Sequence, residues 1–566
     1  MHVTGSAGRE KRPTSGVTRR RLIGFVGMGS TAVWLAACGG DQNKSGGATA
    51  ANTVPAGGAA VPVAVAQKGG TLKLGGWGVR RFLSPRGATG GNYMDQDYVS
   101  GDSYVYVKSD GSFDPTVSLW EKWEQTDKQT IAATVRKGVQ FHDGTPLNAE
   151  AVKAHLEFMS VEKNVPNYGF FSLLESFEKV EATDANTVVI RAKEPDASFL
   201  AVFAMIPGVP FSLAQMRKLG DDELTKPAET GPYLVDSYTP STGWVWVKNP
   251  NYWGPKELAP FPDRIDYAGP DDHNVRAASF EAGDFDVVWF GNSDANTKRL
   301  AADKKFQQKS LAVAPFTLQF NHAKPPLDNL KLRQALASAV DRKKIFDIVY
   351  RGQGGIAKTG MLAPGTFGAL EYEKYPFDLK KAKEYLDASG VRTPVKLSYI
   401  YSGAGTEETL LSAQIYQETM KAIGIEIEIV NQPASGVADS MYRNGEYHLT
   451  TGSTGVRPDP SPAFGLVLAS WGSLNAGGKT STDPAQKQID DLIRRSMAEF
   501  DRSGREKIFH EITRVSNDNV IARIQVADRL RWLFAQPAIG GMDHPEVVNA
   551  PGGAGYRPRF LWKKPR

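Results

Sequence analysis

The stretch from Val395 to Ile429 constrains the fold more than any other. It reads VKLSYIYSG, then a helically spaced run from Thr406 to Ile423 closed by Gly424, then IEIEI with strict period two. Period two sends alternate side chains to opposite faces of a strand, whereas recurrence every three to four residues lines one face of a helix. A strand, a helix and a second strand in succession require a parallel pair joined by a right-handed crossover. The chain is therefore expected to be an α/β protein.

The same signals recur on both sides. GGTLKLGG (69–76) predicts a strand between glycine breaks, and TIAATVRKGVQFHDGTP (130–146) predicts a hairpin turning at Lys137-Gly138, with Val139 and Phe141 on the returning arm. Asn148 is placed to cap a helix carrying Val152, Leu156 and Met159 on one face. Asp328–Val340 predicts a helix, and Asp341 a cap for a second one with Ile345, Ile348 and Val349 inward. Asp378 and Gly390 bracket another, with Leu379, Ala382 and Leu386 as its stripe. Ile489, Leu492, Ile493, Ser496 and Met497 mark a further helix, and Ile508, Phe509, Ile512 and Val515 its successor. With 41% hydrophobic residues over 566, a sizeable core in three or so structural units is available.

The N-terminus reads as an address. TRRRLIGFVGMGSTAVWLAACGG (18–40) sets three arginines before a 16-residue apolar run, Leu22–Ala37, broken by Gly24, Gly27 and Gly29. A bilayer span takes about 20 mostly apolar residues, so this run is short for an anchor and has the three parts of an export signal. Arg19-Arg20-Arg21-Leu22-Ile23 resembles a twin-arginine signal. LAAC (35–38) resembles a bacterial lipobox, which implies a leader at 1–37 that is removed and Cys38 diacylated, giving stable attachment to the extracytoplasmic face of the membrane. Residues 38–68, rich in Gly, Ala, Ser and Asn, are expected to be a flexible lipid-anchored linker spanning roughly 30 Å.

Cys38 is the single cysteine, so no disulfide supports the body. The leader holds six Lys/Arg against Glu10, leaving 61 basic and 61 acidic groups, and the net +5 of the whole chain belongs to the leader. A neutral mature chain gives no footing for nucleic-acid binding.

Several segments together carry a family resemblance: VRKGVQFHDGTPLNAEAV (135–152), TGPYLVDSYTP (230–240), KNPNYWG (248–254), ASFEAGDFDVV (278–288), FNHAKPPLDNLKLRQALASAVDRKKI (320–345), FDLKKAKEYLDASG (377–390), IYQETMKAIGIEIEI (415–429) and KQIDDLIRRSMAEFDRSGREKIFHEI (487–512). In this order the chain resembles the extracytoplasmic solute-binding proteins of the peptide/nickel/oligopeptide type, family 5, that feed ABC importers. The resemblance implies a two-lobed periplasmic-binding-protein-like fold (type II, cluster C) with an extra subdomain on lobe I. It places lobe I at 69–313 with the inserted subdomain at about 100–225, lobe II at 314–524, and a C-terminal return to lobe I at 525–566. The crossings between lobes are expected near Ala314–Leu318 and Ile524–Asp528 and would form a hinge. The implied partners are a small-molecule solute and an ABC permease with its ATPase; a monomer needing no cofactor is expected.

Catalytic and metal motifs are decoys. HEITR (510–514) has Arg514 where a zinc helix needs its second histidine, GNSDA (291–295) lacks the final glycine of a nucleophile elbow, and the eight histidines offer no i, i+4 pair. No catalytic residue and no metal ligand is assigned. Binding candidates lie where strands end, because ligands in open α/β folds collect beyond the carboxyl ends of strands. Trp77, Trp289 and Asn292, with Ser293 beside it, follow or end lobe I strands; Tyr399, Tyr401 and Ser402 end a lobe II strand. Each tryptophan can be a stacking platform or core, and Tyr401 a ligand contact or a surface cap.

In HLTTGSTGVRPDPSPAF (448–464), the peptide-binding branch of the family usually carries a buried aspartate for a ligand ammonium; here no carboxylate precedes Asp459. Unless Asp459 turns inward, a free peptide lacks that anchor. Arg457 supplies five donors suited to a carboxylate or phosphate, or pairs with a surface acid, and Trp471 stacks on a ring or covers core. The expected role is a binder that presents an intact solute to a permease. Rival readings are a surface-anchored hydrolase using a carboxylate pair, and a non-transport receptor or chaperone on the same fold.

Overall fold

Apolar residues at alternate positions build one large sheet through most of the molecule. The computed structural model describes residues 68–564 apart from 77–78, 80–82, 88–98, 109–110, 166–170, 175, 241, 256–259, 271, 292, 359, 403–406, 453–457 and 550–554, and all of these described residues belong to one compact unit, 57–566. The strands that matter below, in chain order, are β1 (Thr71–Gly75), β2 (Trp120–Gln125), β3 (Thr130–Val135), β4 (Phe177–Ala182), β5 (Thr187–Ala192), β6 (Tyr233–Thr239), β7 (Gly243–Lys248), β8 (Arg264–Ala268), β9 (Val287–Gly291), β10 (Gln307–Phe320), β11 (Gly355–Ile356), β12 (Val395–Ser402), β13 (Ile425–Gln432), β14 (Leu449–Gly452) and β15 (Arg523–Ala535). The helices that matter below are α1 (Ala149–Met159), α2 (His273–Ala282), α3 (Ala295–Ala302), α4 (Leu330–Ser338), α5 (Arg342–Ile348), α6 (Leu379–Ser389), α7 (Glu407–Lys421), α8 (Pro460–Val467), α9 (Pro484–Ala498) and α10 (Arg502–Val515).

Two long strands make the molecule two-lobed. β10 and β15 run antiparallel from Gln307↔Ala535 to Gln319↔Arg523, with register shifts between Val313 and Thr317. On one side of the shift β15 pairs with β9, and the sheet continues through β1, β8, β7 and β6; on the other, β10 pairs with β14 and continues through β12 and β13. The short β11 pairs with β15 at Gly355↔Asp528, beside the shift. An irregularity in a ladder bends and twists it locally. The β12–β13 pair is parallel along eight residues, from Val395↔Ile425 to Ser402↔Gln432, as the period-two reading expects.

Each half-sheet has its own apolar core. Leu72, Leu74, Trp244, Trp246 and Trp289 cluster on one face of the first lobe, and Val288, Phe290, Leu300 and Phe534 on the other. Leu332, Leu336, Ile345, Leu386, Tyr416 and Ile427 bring α4–α7 against the second half-sheet. Full burial of a Leu, Ile or Phe side chain is worth about 1.5–3 kcal/mol, which outweighs the weak propensity of such short helices. Caps read from sequence hold: the side chains of Asn148, Asp341 and Asp378 accept from Ala151 N, Lys344 N and Lys381 N. Asn329 caps α4, its side chain accepting from Leu332 N.

The separate sheet β2-β3-β5-β4, covered by α1, forms the inserted subdomain. Two expectations are corrected here. β3 turns back onto β2 through residues 126–129 and pairs with β5 on its other edge, so both edges are taken and the Val139–Phe141 arm pairs with neither; Gly138 does sit in a turn, at φ +77°. Ile348 is 48% exposed at the end of α5, pointing away from the core that Ile345 enters. The subdomain's apolar cluster, with Trp120, Val188 and Ile190, is also continuous with Phe464, Leu466, Ile489 and Ile512 of the second lobe. All eight residues of α8 are buried, so the helix is covered on every side. Ala197 N of the subdomain donates to Met497 O across this contact at 2.7 Å.

Candidate functional site

The two half-sheets aim their strand ends at the same place. β1, β8 and β9 are parallel and finish at Gly75, Ala268 and Gly291; β12, β13 and β14 are parallel and finish at Ser402, Gln432 and Gly452. Gly291 pairs with Arg531 on one side of the β10–β15 register shift, and Gly452 pairs with Thr317 on the other. Both sets of carboxyl ends therefore face the crossing, where unpaired strand ends and loop N–H groups collect ligands. Trp77, Asn292 and Arg457 fall in segments that continue from these ends and lie outside the described residues, as does Cys38.

Trp289 stands in the wall, not at its rim. It is 2% exposed, its ring lies 5.8 Å from that of Tyr267, and a Cβ on Gly76 would come within 2.5 Å of it. The missing side chain at Gly76 is what lets the Tyr267 and Trp289 rings close over the end of β1. Tyr399 is likewise fully buried, with its hydroxyl hydrogen-bonded to Thr451 Oγ1 and its pKa raised by burial. Its alternate neighbour Tyr401, at the end of β12, is half-buried against the second-lobe core.

Asp459 does not turn toward the strand ends. Its Oδ1 caps α8 by accepting from Ser461 N at 2.9 Å, and Arg505 grips both oxygens, Nη2 to Oδ1 at 2.6 Å and Nη1 to Oδ2 at 2.7 Å. The pair is buried, and Ser461 Oγ accepts a further bond from Arg505. A buried guanidinium needs this fork, so Asp459 is committed to it. Trp471 is half-buried, with the Arg494 guanidinium 4.2 Å above its ring, so one face is taken.

Charged groups near the crossing hold the loops in place. Arg276 of α2 is fully buried; its Nη1 donates to Gly76 O at 2.8 Å and Pro270 O at 3.4 Å, tying the segments after β1 and β8 together over the Phe290 ring. Asp294 caps α3 and hydrogen-bonds His273 Nδ1, joining the segments after β8 and β9. On the second lobe Arg523, 2% exposed, donates to Leu474 O at 2.9 Å and occupies the space that a side chain at Gly452 would fill, 2.4 Å from that Cβ. A buried cation thus stands at the end of β14.

Sequence reasoning missed a further group. Glu408, 3% exposed at the start of α7, accepts from the Tyr350 hydroxyl and lies 3.6 Å from Arg529 Nε on β15. Its neighbour Glu407 meets Arg351. Beside them Asp528 has its pKa pushed up to about 6 by burial and by the nearby Glu371 charge. Two adjacent glutamates opening a helix signal only dipole stabilisation in sequence; their arginines come from 56 and 121 residues away. Among the described residues no three His, Cys, Asp or Glu side chains gather as a metal site.

With this geometry in place, comparison with known proteins is specific. The family model of bacterial extracellular solute-binding proteins, family 5 (middle), matches residues 114–475. Heme-binding protein A of Haemophilus influenzae is 29% identical over 460 residues, covering 76% of this chain and 80% of that protein. Glutathione-binding protein GsiB of Escherichia coli is 28% identical over 322 residues, 56% of this chain, and the match spans 61% of GsiB. Among solved structures, the periplasmic binding protein DppA of Helicobacter pylori in complex with the peptide STSA superposes with TM-score 0.78 at 18% identity, covering 88% of this chain and 99% of that one. AgaA of A. tumefaciens R10 in complex with agropinic acid gives 0.76 at 22% identity, covering 88% and 99%.

Proposed function

The chain belongs to the bacterial extracellular solute-binding proteins of family 5, and on that premise we propose that it is the substrate-binding lipoprotein of an ABC importer. It captures a small solute between its lobes, closes about the β10–β15 crossing, and presents the solute unchanged to a membrane permease and its ATPase. The observation that carries this reading is the convergence of six strand ends from two half-sheets on a connection of only two strands. Few dihedrals must change there to swing a lobe. Ligand contact with both lobes then drives closure, and a shift from 1:99 to 99:1 takes about 5.5 kcal/mol of preference for the closed form.

The leader with its twin-arginine-like signal and the LAAC sequence ending at Cys38 support export and lipid anchoring of a monomeric body on the outer face of the cell membrane. Trp77, Asn292, Tyr401 and Arg457 are the residues we assign to the ligand; Trp289, Tyr399 and Asp459 support the walls, and Trp471 offers at most one face.

The solute is a peptide-like, oligosaccharide or anionic compound, and the balance leans to the last. Asp459 is held by Arg505, no other carboxylate lies between His448 and Asp459, and Arg523 buries a positive charge beside the loop that holds Arg457. A desolvated ammonium group would find no counter-charge on this loop, at a cost of several kcal/mol.

The test is direct. The protein is purified, its co-purifying small molecules are extracted and identified by mass spectrometry, and each candidate is returned to the ligand-free protein. A true ligand at 100 times its Kd stabilises by about 2.7 kcal/mol and is recovered with unchanged mass. Arg457→Ala weakens an anionic ligand at least tenfold; an unchanged Kd removes Arg457 from the site, and a product of altered mass favours the hydrolase reading.

A further inference from the structure

We propose that Arg351 is a latch that fastens the second lobe to the first in the closed form. This rests on the reading of two hinged lobes and adds a device to it. Arg351 follows α5 and has φ +52°, a left-handed backbone that residues with a side chain seldom adopt; Gly352 and Gly354 next to it are at +76° and +90°. A glycine would meet the backbone requirement at lower cost, so the Arg351 side chain is held here at the expense of backbone strain.

The guanidinium reaches across the lobes. Arg351 Nη1 donates to the backbone carbonyl of Ser293, which follows β9 in the first lobe, and to Val349 O at 3.0 Å in its own turn. Nη2 meets Glu407 Oε2 at 3.4 Å at the start of α7. In return Lys298 Nζ of α3, in the first lobe, donates to Arg351 O at 3.5 Å. The preceding residue takes part as well: Tyr350 bonds the buried Glu408, which faces Arg529 on the crossing strand. The consecutive pairs Tyr350-Arg351 and Glu407-Glu408 thus form a clasp in which two glutamates balance two arginines, one of them gripping first-lobe backbone.

The clasp is joined to the ligand side through the chain. Ser293 adjoins position 292 and Glu407 adjoins 403–406, the segments that continue from the ends of β9 and β12. A ligand that meets both strand ends favours the form in which Arg351 reaches Ser293 and Glu407, and the latched form in turn favours the ligand. Each raises the other's occupancy by the same factor.

The test uses the full-length, ligand-free chain with Cys38→Ser and spin labels on Lys304→Cys in the first lobe and Lys380→Cys in the second, both exposed. Double electron–electron resonance reads the inter-lobe distance distribution. Arg351→Ala is expected to raise the ratio of long to short distances roughly 5- to 30-fold, the effect of losing one or two net hydrogen bonds, while the urea midpoint of unfolding stays put; Lys298→Ala and Glu407→Gln give smaller shifts in the same direction.

A two-population distribution in the unaltered protein that Arg351→Ala leaves in the same ratio overturns the latch and spares the hinge. A single distance that no variant moves, and that a small-molecule extract of the host also leaves in place, overturns both. If Arg351→Ala does not fold, Lys298→Ala and Glu407→Gln decide on the same readout, and no shift in either rejects the proposal.

Discussion

Replacing Asp459 with alanine separates a structural carboxylate from a ligand anchor. Two losses follow from its contacts. The cap on α8 disappears when Ser461 N loses Oδ1, about 1 kcal/mol. The bidentate pair with Arg505 breaks, which strands a buried guanidinium whose remaining acceptors are Ser496 O at 3.1 Å and Ser461 Oγ at 2.9 Å. Removing one partner of a buried pair costs about 3–5 kcal/mol, far more than an exposed pair would. α8 has all eight residues buried between the subdomain and the second lobe, so it cannot fray into water to relieve the charge. The total is about 4–6 kcal/mol in the absence of ligand. For the one compact unit of about 500 residues, with an unfolding entropy of about 2.1 cal/mol/K per residue, this lowers the unfolding midpoint by roughly 4–6 °C. Arg505→Met in the same chain removes the stranded charge and should recover more than half of the loss. Differential scanning calorimetry of the ligand-free protein reads both. A drop under 2 °C for Asp459→Ala, or no recovery in the double variant, refutes the assignment of Asp459 to the fold and returns it to the ligand.

Other expectations concern protons and space. Because the Asp528 carboxyl is raised to about 6 in the folded protein, it binds its proton more tightly there than in the unfolded chain, and stability falls as pH rises from about 4 to 6. Asp528→Asn is expected to raise the unfolding free energy read by urea titration at pH 7, by up to about 3 kcal/mol, with the gain vanishing at pH 4; a gain that is equal at both pH values contradicts this. His155 is fully buried against Tyr104 and Phe211, and burial pushes its pKa down to about 3, so the unfolded chain alone takes up the proton as pH falls below 6.5. Between pH 6.5 and 5 the protein loses about 2 kcal/mol on this account, and His155→Gln, whatever its stability at pH 7, shows a flatter dependence in urea titrations; an unaltered slope argues against it. Gly76→Ala puts a Cβ 2.1 Å from the Tyr267 hydroxyl and 2.5 Å from the Trp289 ring, and should cost about 1–3 kcal/mol by chemical denaturation; an unchanged midpoint means that the two rings do not close over β1 as described.

Legibility followed the range of the interaction. The β12–α7–β13 unit, the caps at Asn148, Asp341 and Asp378, and the αL stop at Gly390 were readable because the physics spans one turn or one strand. The β2–β3 pairing was not, since WEKWEQ buries only Trp120 fully and looks like a charged loop. Tertiary choice of a partner decided against the expected Val139–Phe141 arm. The same holds at the site: the positions of strand ends could be inferred, but Asp459 finds Arg505 46 residues away and Arg351 depends on a backbone angle that no side-chain pattern announces. At Trp289, where the sequence left platform and core open, the ring packs in the first-lobe core, and Tyr399, assigned to a strand end near the site, packs in the second-lobe core, because a strand end sends alternate residues inward.

Capture by closure with the cargo left intact is the central proposal. Small-angle scattering on the full chain, stripped of ligand and then loaded with the solute that co-purifies with it, tests this most directly when the solute is recovered afterwards for mass spectrometry. A radius of gyration that contracts on loading, together with recovery of the solute at its original mass, is the expected result. The same dimensions empty and loaded, or a solute returned as fragments, would contradict it.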